Sequence, residues 1–308
     1  MIDVEQARAV AHSIAEVTLG AEPGRLDEID SSSHQVFMGS TVVVKILDAA
    51  DHTRLDREIA ITGDLPAGLS APVLASGRRT TEAGELRYAC LGRVPGTTPG
   101  MGLVGVDRVT AGQWAQQAVQ QLQRLHDWTP AGQTAAILQE SLDHGGFVGR
   151  SQLLGEIQSL RDLDGGGIVP RQILDGLTAI ADRAPEYAEA IVPVHADCHW
   201  GNWLVHERSV TALLDFEWAR FGEPADDWVF LARFSGPHMQ TVLSVIADLT
   251  GMPLEHLCVA CEVREAAYLT SDLRLKFQES HDVARVTVRN IRELEELVGG
   301  RSSWQTEQ

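Results

Sequence analysis

The densest run of chemically capable side chains is His195-Ala196-Asp197-Cys198-His199-Trp200-Gly201-Asn202, and Leu214-Asp215-Phe216-Glu217 follows it. Asp197 comes just past one apolar, strand-like segment and Asn202 just before the next. A regular hairpin closed at His206–Ser209 would set Asn202 across from Leu213. Asn202 and Asp215 would then be diagonal neighbours on one face, about 7–8 Å apart at Cβ. A carboxamide oxygen and a carboxylate converging there suit a hard cation such as Mg2+, which takes one or two protein oxygens and fills its other positions with water and phosphate. Asp197, on the same loop, is placed to receive a proton.

A second signal comes from lysine usage. Lys45 and Lys276 are the only lysines among 25 basic residues, and Lys45 sits inside Val42-Val43-Val44-Lys45-Ile46-Leu47. An ammonium on so apolar a strand costs several kcal/mol unless an anion meets it, and its compact charge suits phosphate oxygens. After Asp51, the residues Leu55, Glu58, Ile59 and Thr62 follow helical spacing, which turns the Glu58 carboxylate inward. A Lys45–Glu58 pair is predicted.

These side chains need elements to position them. Residues 33–47 read as two strands around a turn at Met38-Gly39-Ser40, followed by a helix over 51–65 and a strand pair near 71–76 and 86–94. The turn-rich run Val94-Pro95-Gly96-Thr97-Thr98-Pro99-Gly100 marks a boundary, dividing an N-terminal unit, 1–95, from a C-terminal unit, 96–308. Beyond it the periodicity is helical over 114–126, 151–163 and 173–183. Short strands follow at 191–194, 203–205 and 210–214, and helix resumes from 228 to 298. The expected fold class is α+β, a small β-rich lobe before a larger, mostly helical one.

With 25 basic and 43 acidic residues in 308, the net charge is −18. A surface of that sign repels nucleic acid, whose binding depends on phosphate neutralisation by Lys and Arg. A cationic small molecule is the better partner. No segment approaches the ~18 uninterrupted apolar residues of a membrane span. The start, Met1-Ile2-Asp3-Val4-Glu5, is acidic where an export signal is basic, so no membrane partner and a cytoplasmic location are expected. Cys258-Val259-Ala260-Cys261 lacks a second pair for zinc and lies in a helical run, so a redox or metal role is set aside.

Lys45 on a strand, Glu58 on the next helix, His195-x-Asp197-x-x-x-x-Asn202 and Asp215-Phe216-Glu217 resemble, in order and spacing, the signatures of the protein-kinase-like fold. With Gly222-Glu223-Pro224-Ala225-Asp226-Asp227 and Leu122-Gln123-Arg124-Leu125-His126, the chain looks most like the aminoglycoside phosphotransferase and choline kinase branch, over roughly residues 30–235. The resemblance implies a bilobal small-molecule kinase using ATP or GTP with Mg2+. Asp197 would be the catalytic base, Asn202 and Asp215 the metal ligands, Lys45 the contact to the α/β-phosphates and Glu58 its orienting partner. Gly92 and Val94 would face the purine, and Ser31, Ser32 and Ser33 would cradle phosphate in place of the glycines of protein kinases. Asp227 would brace the catalytic loop.

Glu217 stands where protein kinases carry glycine, and either metal or acceptor could claim it. Trp200 and Trp218 flank the proposed site, and one of them would wall an acceptor pocket. Acids at Glu217, Glu223, Asp226 and Asp227 favour an amine-bearing acceptor, an aminoglycoside or another antibiotic, with choline, an amino sugar or homoserine as alternatives. A metal-dependent hydrolase built on His195 and His199 is a further alternative, but it leaves Lys45 and Glu58 without a role.

Overall fold

The computed structural model describes residues 3–31, 34–49, 53–82, 84–142, 146–188, 191–279, 287–300 and 304. In chain order the first elements are α1 (Val4–Leu19), β1 (Asp27–Ile29), β2 (Gln35–Met38), β3 (Val42–Asp48), α2 (Thr53–Thr62), β4 (Val73–Thr81) and β5 (Gly84–Gly92). Then come α3 (Arg108–His126), α4 (Gly132–Gln139), α5 (Arg150–Leu163), α6 (Arg171–Asp182), β6 (Val192–Val194), β7 (Trp203–His206) and β8 (Ser209–Leu213). A 3-10 turn at Phe216–Trp218 precedes β9 (Arg220–Gly222), α7 (Ala225–Arg233), α8 (Met239–Thr250), α9 (Leu254–Glu279) and α10 (Val288–Val298).

The chain forms two compact units. The first gathers Met1–Pro99, Trp128–Leu138 and Asn202–Ala219. Its five strands form an antiparallel sheet in the order β1-β2-β3-β5-β4. Alternation along β3 sends Val42, Val44 and Ile46 to one face, where Ala7, Ala11, Ile14 and Ala15 of α1 cover them. Val43, Lys45 and Leu47 point to the other face, where Leu55 and Ile59 of α2 pack with Ala89, Leu91 and Leu214. Lys45 therefore rises into the layer that α2 closes.

The β7–β8 hairpin joins this unit through backbone bonds. Thr97 and Val205 exchange amide–carbonyl bonds of 2.9 Å, and Leu213 N–H donates to the Leu69 carbonyl at 2.9 Å. Gly96 is required there: at φ 133°, a Cβ on it would lie 2.7 Å from the Val205 carbonyl oxygen.

The second unit gathers Gly100–Asp127, Gln139–Gly201 and Arg220–Gln308. Asp107 caps α3 by accepting the Val109 and Thr110 amides at 2.9 and 3.0 Å. The 26-residue α9 packs against α5, α6, α7, α8 and α10. Cys258 and Cys261 lie within it, buried, and burial pushes both thiols up. The helical stretch expected from 228 to 298 consists of several helices, with Gly251 at φ 71° ending α8. After α5 the chain makes an ordered turn, in which Asp164 accepts the Ile168 and Val169 amides at 2.7 and 2.8 Å.

A short ladder pairs β6 with β9, setting Val194 opposite Arg220. The segment entering His195 and the one leading to Glu223 are thereby held side by side. Among the described residues, no single helix is long and apolar enough to cross a membrane.

Candidate active site

In the sheet-bearing unit, the predicted Lys45–Glu58 pair is present. Lys45 Nζ donates to both Glu58 carboxylate oxygens at 2.8 Å and to Asp215 Oδ1 at 3.0 Å. Burial works against the ammonium, but the two carboxylates outweigh it and hold the lysine above its ordinary value. Burial pushes the Glu58 carboxyl up while Lys45 pulls it down. Asp215 itself is left-handed, φ 68° and ψ 62°, a conformation that costs a non-glycine residue about 1–2 kcal/mol and that clusters at functional sites.

The hairpin differs from the regular register. A bulge between Leu204 and Val205 shifts the ladder by one residue, so Trp203 pairs with Leu213, and the Asn202 carbonyl accepts the Leu214 amide at 2.8 Å. Asn202 thus ends the ladder beside the residue that precedes Asp215, rather than across from Leu213.

Sequence reasoning missed a histidine here. His34, buried at the start of β2, has Nε2 4.0 Å from Glu217 Oε2. Desolvation, with help from Lys45, lowers the imidazole to about 4. Desolvation and Asp215 raise the Glu217 carboxyl to about 7. Glu217 Oε2 is buried with no hydrogen-bond partner among the described residues. A local motif carries no trace of this pairing, because the two residues lie far apart in the chain.

The 3-10 turn is pinned to α2 twice. Arg57 Nε donates to the Ala219 carbonyl at 2.8 Å, and the Arg54 guanidinium lies 4.1 Å over the Trp218 ring. One face of Trp218 is therefore covered by an arginine. Ser31 is exposed before β2, while Ser32 and Ser33 lie outside the described residues. At the end of β5, the Gly92 amide donates to the Pro72 carbonyl at 2.8 Å, and Val94 packs against the cluster of Leu55, Ala71, Ala89 and Leu91. The oxygen donors of Asn202 and Asp215, with the orphaned Glu217 oxygen on the following turn, are a chemically fitting set for Mg2+.

In the helical unit, the loop after β6 is held by Asp227. Its carboxylate accepts the His195 amide at 3.1 Å, the Ala196 amide at 2.7 Å and a bond with His126 Nε2 at 2.8 Å. Burial opposes its charge, yet His126, the imidazole of His195 and the Ala196 amide hold it below the ordinary value. Ala196 is left-handed at φ 63°, so the loop reverses sharply just before Asp197. His195 is fully buried and its Nδ1 accepts the Asp197 amide at 3.2 Å. The Asp197 carboxylate is a quarter exposed, 3.7 Å from His199 Nε2.

Two expectations about the acceptor are corrected. Trp200 is wholly buried and its indole N–H donates to Ser235 Oγ at 2.8 Å, so it belongs to the core rather than to a pocket wall. Glu223 and Asp226 are also buried: Glu223 bonds Arg264, and Asp226 lies 3.4 Å from Arg220. With Asp227 committed to the loop, these acids balance internal charge and are closed to a ligand's amines.

A small antiparallel sheet carrying a Lys–Glu–Asp cluster, with a helical unit carrying a braced His-x-Asp loop, defines an α+β phosphotransferase of the protein-kinase-like fold. The profile of the Phosphotransferase enzyme family matches residues 25–248, and the chain belongs to that family. No curated protein sequence matches it.

Solved structures similar to the chain include the GDP and kanamycin complex of APH(2")-IIia, at 14% identity and TM-score 0.69, covering 94% of this chain and 98% of that one. Another is the streptomycin–ATP ternary complex of APH(2")-IIa, at 12% identity and TM-score 0.61, covering 95% and 97%. A third is macrolide 2'-phosphotransferase MphH from Brachybacterium faecium, at 15% identity and TM-score 0.61, covering 98% and 100%.

Proposed function

We propose that the enzyme moves the γ-phosphoryl group of ATP or GTP to a hydroxyl of a small molecule, an aminoglycoside or another antibiotic, in the cytoplasm. The observation that carries this reading is the Lys45 ammonium held between Glu58 and Asp215, because a buried cation so oriented is what a polyphosphate needs. Lys45 binds the α/β-phosphates and Glu58 keeps its ammonium aimed. Ser31, Ser32 and Ser33 supply amides and hydroxyls to the phosphates, and Gly92 and Val94 supply backbone groups to the base. Asn202 and Asp215 would hold Mg2+, which when bound neutralises charge on the transferred phosphoryl group. Asp197 accepts the proton of the attacking hydroxyl as its oxygen bonds to phosphorus. Glu217 and Trp218 stand next to Asp215 on the chain, where metal or acceptor would meet them.

The similar structures, complexes with GDP and kanamycin and with ATP and streptomycin, support a nucleotide co-substrate and an antibiotic acceptor. A metabolite such as choline, an amino sugar or homoserine is the second reading. Hydrolysis at a histidine-bound metal is disfavoured, because His195 and His199 each turn Nδ1 to a backbone amide, of Asp197 and Gly201. A nucleotide-consumption screen with Mg2+ against hydroxylated antibiotics and metabolites tests the proposal. Acceptor-dependent consumption abolished by Asp197→Ala is expected. Consumption that survives the substitution overturns the role of Asp197, and nucleotide-independent hydrolysis overturns the reaction class.

A further inference from the structure

We infer that the helical unit carries an aromatic platform, His199, Phe234, Phe230 and Tyr268, leading away from Asp197, and that it selects acceptors presenting the apolar face of a sugar ring and bearing at most one positive charge. This rests on the phosphotransferase reading above and specifies its acceptor.

The rings form a continuous series. His199, 3.7 Å from Asp197, meets Phe234 edge to face at 5.7 Å between centroids. Phe234 stacks at 6.0 Å on Phe230, which is buried and backs the series, and Phe230 meets Tyr268 edge to face at 5.3 Å. Tyr268 is 38% exposed although its neighbours on α9, Ala267 and Leu269, are buried. Burial comes first in lifting its hydroxyl to about 12, with Asp272 and then Asp197 adding to it, so the phenol lies within the field of the proposed base. Ring faces are electron-rich and favour the polarised C–H bonds on the flat side of a pyranose.

Charge argues for the second half of the inference. Three carboxylates beside this platform are already matched by cations of the chain itself. Asp272 holds Lys276 at 2.9 Å, Glu293 holds Arg289 at 2.8 Å, and Glu265 holds Arg233. Glu265 also accepts the Trp304 indole N–H, and Lys276 also donates to Asn290 Oδ1 at 2.6 Å. A polycation would have to displace these partners, exchanging one ion pair for another at little net gain. A single ammonium can instead be met by the ring faces and Asp197.

Steady-state kinetics on the full chain with three probes test this: methyl glucoside, erythromycin with its single amine, and the polyamine kanamycin. Erythromycin is expected to exceed kanamycin in kcat/KM by at least about tenfold, equivalent to ~1.4 kcal/mol. Its KM should hold within about twofold when salt is raised to about 0.3 M, which screens exposed charge. Tyr268→Ala should raise acceptor KM about tenfold with a smaller change in kcat, while Tyr268→Phe, which keeps the ring, stays within about twofold. Thermal melting of both variants separates misfolding from lost contact.

Preference for kanamycin with a steep salt dependence overturns the inference, as does a folded Tyr268→Ala with unchanged KM. If none of the probes turns over while Mg-nucleotide still raises the melting temperature of the wild type and not of Lys45→Ala, the acceptor class is wrong and the nucleotide reading stands. Loss of that shift as well overturns the phosphotransferase reading itself.

Discussion

Lys45 on β3 donates to both carboxylate oxygens of Glu58 on α2, at 2.8 Å each, with only 12% and 5% of the two side chains exposed. Breaking one side of a buried pair leaves the other charge uncompensated, at about 3–5 kcal/mol. Lys45→Met is therefore expected to lower unfolding free energy by roughly that amount, and Lys45→Met combined with Glu58→Leu to recover most of it. Urea denaturation of the four members of the cycle checks this. Because the folded ammonium is held above its usual value, its contribution persists through neutral pH and is lost as pH rises through the alkaline range.

Asp197→Asn removes a proton acceptor without changing shape. Acceptor phosphorylation should fall by about 10²–10⁴-fold. The melting-temperature rise with Mg-nucleotide should remain, because Lys45, Asn202 and Asp215 are untouched. Paired turnover and thermal-shift measurements decide it; a lost shift with folded protein would assign Asp197 to nucleotide binding instead.

Asp227 satisfies two buried amides and one imidazole while keeping left-handed Ala196 in place. Asp227→Ala is expected to cost about 3–5 kcal/mol, since it strands three buried polar groups. Its carboxyl sits below the ordinary value of 3.8, so its contribution is present above that pH and lost as pH falls through the folded value. Comparing denaturation of Asp227→Ala and wild type at neutral and acid pH tests this; the gap should narrow in acid.

Asp226 behaves in the opposite sense. Burial raises its carboxyl from 3.8 to about 6, against the pull of Arg220. The folded state thus holds its proton longer, and stability is lost as pH rises from below 3.8 through about 6. Asp226→Asn abolishes that loss. Relative to wild type, the variant should gain stability between about pH 4 and 7, by at most about 3 kcal/mol at ~1.4 kcal/mol per unit. A variant-minus-wild-type difference that does not change with pH would contradict the assignment.

Trp200→Phe tests the corrected role of that indole. Loss of its bond to Ser235 should cost about 1–3 kcal/mol, as an unsatisfied buried partner does. Acceptor KM should not change, whereas a pocket-wall residue would alter it.

The sequence alone determined what depends on period and short spacing. Lys45 and Glu58 were legible because strand alternation and helix repeat each fix one face, and the two elements are neighbours in the chain. The His-x-Asp loop, Asp215 and the turn-rich run after β5 were legible for the same local reason. Only the tertiary structure decided the rest. A single bulge at Leu204/Val205 reset the place of Asn202 against Asp215, and composition does not encode a one-residue slip. His34 and Glu217 meet only because separate loops pack together. Glu223, Asp226 and Trp200 carry polar groups that look available in sequence. Burial and internal partners removed them, since a charge or indole N–H can enter a core only if it is satisfied there, and its partner lies wherever the fold brings the chain back.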